Sequence, residues 1–363
     1  MRTFATKGRF PYLISHKRIP QCSFDCVLRQ PGCGDGIWAG VDEQPEEKVM
    51  SVQPVSVRSQ KKRTAAELPR RDFLKMGLIG TAFAWNPLLF AGEGDVDVWV
   101  IHGTNKRKLM DSCLHVISNN GGFGRNVKNL ALKVNAAWAR KPEVGANTHP
   151  ELVAGFIDGC RRYGITDIVV PEHPCNRAEM SFTRSGIQDA VEDNGATMID
   201  MKSSRKDFVP VTLPKGQSLS KADVTKYFLE ADAVVNMPVA KHHGGATLTM
   251  AMKNWMGAVQ DRGYWHRNDL HQCIADFSTF IKPTWTIIDA TRIMLDRGPQ
   301  GPSRNMRTEN LLIVSKDQIA ADAWTTGLFH DSIDAVRYLK VARQMQLGET
   351  RIENMSVHRI EAA

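Results

Sequence analysis

The chain has 363 residues, 42% hydrophobic and 24% charged, enough for a substantial core in one large or two small domains. Its net charge of +8 is unevenly placed: residues 1–91 hold 14 Lys/Arg against 8 Asp/Glu, a net of +6, and the remainder holds 33 against 31, a net of +2. The basic excess belongs to the leader, which removes the main support for nucleic-acid binding.

Residues 1–49 carry Cys22, Cys26 and Cys33 with scattered Gly and Pro and no clear periodicity, at spacings that match no zinc or iron–sulfur pattern. They read as a non-native or disordered extension, with translation expected to begin at Met50. Residues 50–91 read as a signal region. In "LPRRDFLKMGLIGTAFAWNPLLFAGEG", Arg70 and Arg71 stand before Phe73, Leu74 and Lys75, and an apolar segment runs from Met76 to Ala91. Charged start, apolar stretch and small residues at Ala84 or Ala91 are the layout of a secretory signal. The paired arginines with Phe-Leu-Lys resemble the twin-arginine translocation signal. This predicts the twin-arginine translocase as partner and a periplasmic or extracytoplasmic location. The apolar segment is too short for a stable membrane span.

Residues 92–363 read as a single α/β domain. Strands are predicted at 95–103, 127–138, 166–172, 196–201, 232–238, 284–290 and 309–316, with 355–360 closing the sheet. Helices are predicted at 106–122, 149–164, 184–195, 220–232, 246–259, 268–282, 318–330 and 332–346. In the second helix Leu152, Phe156, Ile157 and Cys160 form one stripe after Pro150 and before Gly164. The alternation predicts a layered, mainly parallel sheet flanked by helices. Cys113, Cys160, Cys175 and Cys273 are scattered, with no CxxC pair and no ferredoxin-type run, and read as mostly buried thiols.

Ligand sites in such sheets lie at the carboxyl ends of strands. There the sequence places Asn135, Glu172 with His173, Lys241 with His242 and His243, and Asp289. Gly244 and Gly245 permit close backbone approach, and as the start of a helix they would offer amides to an anion. Lys253 is the one charge between His243 and Asp261, amid Met250, Met252, Trp255 and Met256. If it is buried, its pKa falls unless a carboxylate or anion compensates. Asn254 beside it is placed to orient a ligand. His266 and His271 are five apart, a poor helical chelate; an N-cap at Asn268 would leave His266 in a loop facing the site, and His271 on the flank. Asp289 suits a general base, metal ligand or lysine partner. "GPQGP" at 298–302 is a rigid turn, and Asp322 reads as a cap or dipole partner.

These pieces in order resemble the domain of unknown function family 362. The segments that carry the likeness are "LALKVNAAWARKPEVGANTHPELV", "ADAVVNMPVAKHHGGATLTMAMKNWMGAV", "HRNDLHQCIADFSTFIKPTWTIIDA", "RGPQGP" and "QIAADAWTTG". Val134 stands where family members usually have proline, a difference of loop shape. Many members append an iron–sulfur segment whose cysteines are absent from this sequence, so the resemblance implies no such cluster. A looser likeness joins His243 and Lys253, ten residues apart, to the lactate racemase family with its nickel cofactor.

The resulting expectation is an exported enzyme acting on a small anionic substrate, with a metal as candidate cofactor. His243, Lys253, Asp289 and His266 are the catalytic candidates. Lys241, Asn254, Gly244 and Gly245 are the substrate-binding ones, and His242 with His243 the metal ligands. The alternative is a non-catalytic periplasmic protein that holds a metal or anion, or serves as a redox accessory.

Overall fold

The computed structural model describes residues 96–362. The extension, the start at Met50 and the twin-arginine motif lie outside the described residues. Twelve strands are seen among the described residues: β1 (Val96–His102), β2 (Asn129–Val134), β3 (Asp167–Glu172), β4 (Thr197–Asp200), β5 (Phe208–Thr212), β6 (Lys221–Thr225), β7 (Ala233–Met237), β8 (Val239–His243), β9 (Thr247–Thr249), β10 (Trp285–Met294), β11 (Met306–Ser315) and β12 (Met355–Glu361).

The main sheet runs β12-β1-β11-β10-β7-β2-β3-β4, and β8 joins it by pairing with β10. All pairings along that path are parallel except those of β11, which is antiparallel to both β1 and β10. This is the expected α/β architecture, and β12 does close one edge beside β1.

Alternation along each strand feeds two cores, because successive side chains point to opposite faces. Val98, Val100, Ala131 and Ile288 join one core with Trp255, Ile274, Phe277 and Ile319. Trp99, Ile101, Leu130, Leu132 and Ile287 join the other with Leu109, Phe156 and Ile187. Helices Leu270–Phe280 and Gln318–Thr326 cover the first face. Helices Lys106–Asn119 and Pro150–Arg162 cover the second. Side-chain caps start them: Asn105 Oδ1 accepts from Lys108 N, Asp269 from His271 N and Gln272 N, and Asp317 from Ile319 N and Ala320 N.

Three stretches differ from the predicted elements. Residues 220–232 divide into β6, which pairs antiparallel with β5 in a separate ribbon, and the short helix Lys226–Glu230. Cross-strand pairing outweighs helical propensity there. Residues 178–185 form a helix ahead of the Ile187–Glu192 helix, with Gly186 in the left-handed region between them.

The run 239–259 departs most from its predicted form. Lys241, His242 and His243 lie in β8 and pair with Thr249, Leu248 and Thr247 of β9. Gly244, Gly245 and Ala246 are a hairpin turn, with Thr247 at φ 65°. The helix begins only at Ala251 and ends at Asn254, followed by a 3-10 turn from Trp255 to Ala258. An apolar run buried on every side has no periodicity from which to tell strand from helix.

Candidate functional site

At the carboxyl ends of β2, β3 and β7 the chain buries polar groups that an apolar core would exclude. Lys133 is the only charge in β2, and strand alternation turns it toward the face covered by residues 251–258. Its Nζ donates to Glu172 Oε2 at 2.9 Å, to the Val134 carbonyl at 2.5 Å and to Asn254 Oδ1 at 3.4 Å. Both members of this ion pair are almost wholly buried. Glu172 Oε2 also accepts from Ala136 N at 3.0 Å. Burial pulls the Lys133 pKa down, and Glu172 pulls against it.

Asn254 is the hub that joins this pair to the covering segment. Its Nδ2 donates to Asn236 Oδ1 and to the carbonyls of Lys133 and Val134, and its Oδ1 also accepts from Asn135 Nδ2. Asn236 in turn donates to the Ala251 carbonyl at 2.9 Å. Asn254 was a substrate-binding candidate, but these bonds commit its amide to holding the segment in place.

Two more lysines lie in the same region. Lys241 is fully buried; its Nζ donates to the Ala146 carbonyl and to Asn135 Oδ1. Burial and the neighbouring Lys253 charge push its pKa down to about 7. Lys253 is 8% exposed, and its Nζ donates to Met256 Sδ at 3.4 Å. A thioether is a weak acceptor. Among the described residues no carboxylate pairs with Lys253. Burial lowers its pKa to about 8, with Arg262 adding to the fall and Cys175 opposing it. The sequence-based expectation for a buried, uncompensated lysine is met.

His243 and His266 stack with ring centroids 6.5 Å apart and planes 16° from parallel. Burial leads the lowering of both pKa values, and Lys253 is the strongest charge acting on each; His243 falls to about 2. His266 reaches the stack from the helix Arg262–Arg267, since Asp269 rather than Asn268 caps the next helix. Arg262 donates to the carbonyls of His173 and Pro174, both at 2.6 Å, fixing the loop that carries the exposed Cys175.

His243 Nδ1 accepts from Gly245 N and Ala246 N at 3.0 and 3.2 Å, and His242 Nδ1 accepts from Gly298 N at 3.1 Å. A neutral ring that accepts at Nδ1 carries its proton on Nε2. A metal-bound imidazole needs the reverse, with the non-ligating nitrogen donating outward. The His242–His243 pair therefore does not fit a metal. Among the described residues no group of three His, Cys, Asp or Glu side chains is placed to hold one.

The Gly244–Gly245 turn is not an anion cradle at a helix start. It opens a hairpin, its Gly245 and Ala246 amides serve His243, and Gly244 N donates to the Gly298 carbonyl at 3.4 Å. The 298–302 turn packs directly on it: a Cβ on Gly298 would stand 1.7 Å from the His242 carbonyl oxygen.

Asp289 makes no ion pair with the lysines among the described residues. Its Oδ2 accepts from His149 N at 2.9 Å, and its Oδ1 from Thr291 N and Oγ1 at 3.0 and 2.7 Å. Burial raises its pKa against these donors. These bonds anchor the loop before helix Pro150–Arg162, and of the three roles the sequence offered, general base, metal ligand or lysine partner, Asp289 does not fill the last among the described residues. Asp322 caps the helix Ala251–Asn254 from outside, accepting from Ala251 N at 2.7 Å and Met252 N at 3.0 Å.

The structure thus gathers Lys241, His243, Lys253, Asn254 and His266 into one region and leaves Asp289 at its edge. Sequence reasoning placed Glu172 at a strand exit without giving it a role, and did not single out Lys133, Asn236 or Arg262. Lys133, a lone charge inside "LALKV", was the available signal.

The family model for Domain of unknown function (DUF362) matches residues 130–327. The Thylakoid-associated protein sll1697 of Synechocystis sp. is 24% identical over 251 residues, which are 66% of this chain and 75% of that protein. The solved structure of the lactate racemase apoprotein from Thermoanaerobacterium thermosaccharolyticum is 13% identical with a TM-score of 0.41. That match covers 63% of this chain and 56% of the other, so the chain spans just over half that protein's length.

Proposed function

The chain belongs to the family Domain of unknown function (DUF362), and from that premise we propose that it is an enzyme acting on a small anionic substrate of the carboxylate type. One observation carries this reading. Among the described residues, three lysines lie buried in one region with a single buried carboxylate, Glu172, among their partners, and Lys253 is left with only a thioether. An unpaired ammonium in low dielectric is costly, and a bound anion offsets that cost.

In this reading Lys253 anchors the anion. His243 Nε2–H, on the side of the ring away from the hairpin amides, supplies a second donor. His266 is neutral near pH 7, because burial and Lys253 lower its pKa, and serves as the base. Lys133, Glu172 and Asn254 hold the platform beneath.

Calorimetric titration with lactate and propionate, alongside their neutral amides, tests the anchor. Binding of the acids and not the amides, lost in Lys253→Met, is the expected result. Equal binding of amides, or no effect of the substitution, contradicts it. Exchange of the α-proton of a bound acid in deuterated water, followed by NMR, separates an enzyme from a non-catalytic binder. Export by the twin-arginine route is also proposed, on the Arg70–Arg71 leader. Cell fractionation of the wild-type chain and an Arg70→Lys, Arg71→Lys variant tests it. Among the described residues no helix is long and apolar enough to cross a membrane.

A further inference from the structure

We infer that Lys253 is a nucleophile as well as an anchor: its Nζ forms an imine with the carbonyl carbon of a small 2-oxo acid. The inference rests on the carboxylate reading above and names the substrate class for that site.

The three buried lysines differ in what they are free to do. Lys133 is held by Glu172, a backbone carbonyl and Asn254, and is 1% exposed. Lys241 is 0% exposed and held by Ala146 and Asn135. Lys253, at 8%, is the most exposed of the three and has no oxygen partner among the described residues. An amine that is buried, unpaired and within reach of solvent is the arrangement that imine-forming lysines need. The pKa of about 8 leaves roughly a tenth of it neutral, hence nucleophilic, at pH 7.

The neighbours suit the proton transfers. The lone pair of neutral Lys253 Nζ attacks the carbonyl carbon, an N–C bond forms, and the carbonyl π pair moves to oxygen. His266 takes a proton from the nitrogen and returns it to that oxygen. His266 then takes the nitrogen's remaining proton and delivers it to the hydroxyl, the nitrogen lone pair forms the C=N bond, and the C–O bond breaks with water as the leaving group, giving the imine. Protonation of the imine restores the positive charge at the same nitrogen, next to the substrate carboxylate. No oxidant, reductant or further reactant is required. His243 is stacked on His266 and has its Nδ1 occupied, so its Nε2–H is the donor for the carboxylate.

The test treats the full chain with pyruvate and sodium cyanoborohydride, followed by tryptic mass spectrometry. A reduced adduct on Lys253 blocks cleavage there and leaves the peptide His242–Arg262 intact with the added mass. Its formation, its loss in Lys253→Arg and its suppression by excess propionate are expected. Arginine keeps the charge but cannot form the imine, so that variant separates chemistry from folding. Adducts spread evenly over exposed lysines, or none at Lys253 while propionate still binds, overturn the imine and leave the anion site standing. No adduct and no propionate binding overturn both. Equal labelling by acetone and pyruvate keeps the imine and removes the carboxylate site.

Discussion

Gly257 lies so close to the Glu172 carboxylate that a Cβ on it would stand 2.0 Å from Oε1 and 2.8 Å from Lys133 Nζ. Its carbonyl also accepts from His173 N at 3.0 Å, so the backbone is tied on the same side. Glu172 has little room to retreat, being buried and bonded to Lys133 and Ala136. Gly257→Ala is therefore expected to part or distort the ion pair and to lower unfolding free energy by roughly 2–4 kcal/mol, against about 3–5 for complete loss of one partner. Urea denaturation with an unchanged midpoint would contradict this.

Removing one member of the pair should cost more than removing both. Lys133→Met leaves a buried, uncompensated Glu172 and should destabilise by about 3–5 kcal/mol. Lys133→Met combined with Glu172→Leu replaces the pair with apolar volume and should recover most of that loss. The full double-mutant cycle, read by chemical denaturation, checks it; a double variant as unstable as the sum of the singles speaks against a direct pair.

How much of this was legible beforehand depends on the kind of signal. The mainly parallel α/β architecture followed from apolar strands alternating with helices, and the structure agrees with it. Lys253 stood out because a lone charge in an apolar run is conspicuous, and its burial is real. Lys133 carries the same signal in "LALKV" but sat inside a strand rather than at its exit. The 239–259 run misled because its hairpin is set by pairing of His243 with Thr247 and its helix start by Asp322, over sixty residues away. The Asp322 contact leaves no local pattern, and the Gly244–Gly245 turn between the paired residues was read as a helix start. The committed amides of Asn254 and Gly245 were equally invisible, since hydrogen-bond occupancy is a property of the folded chain.

Lys253→Met should leave stability unchanged or slightly raised, because it removes an unpaired buried charge and keeps the side chain's volume. Carboxylate binding should weaken by about 1.5–3 kcal/mol, the worth of a hydrogen bond to a charged group. Thermal denaturation and calorimetry on one sample read both effects. A large loss of stability would assign Lys253 a structural role instead.

Affinity should depend on pH with a defined sign. Lys253 in the free protein has its pKa lowered to about 8, and an anion beside it favours the ammonium and raises that value. Below about pH 8 the free protein already holds the proton and affinity is flat. Above it, binding must take up a proton, and affinity falls by about tenfold per pH unit until the raised pKa of the complex is passed. Titrations from pH 6 to pH 10 are expected to follow that course, and affinity that rises through the window would exclude Lys253 as the anchor.

Asp322→Ala should disturb the site from outside it. The substitution leaves the amides of Ala251 and Met252 buried without an acceptor, at about 1–3 kcal/mol for each orphaned group. Those amides begin the turn that carries Lys253 and Asn254. Reduced stability together with weaker carboxylate binding is the expected pair of effects, and undiminished binding would show that the turn holds without its cap.

β1 lies between β11 and β12, although it precedes both by about two hundred residues or more. As the chain emerges from the ribosome, β1 waits with both edges bare until residues 306–315 and 355–361 arrive. The sheet is thus assembled late, from contacts of long sequence separation, which fold slowly and expose strand edges to aggregation meanwhile. A chain halted before β12 would carry almost every residue of the candidate site and still leave one edge of β1 unpaired, open to chaperones and proteases.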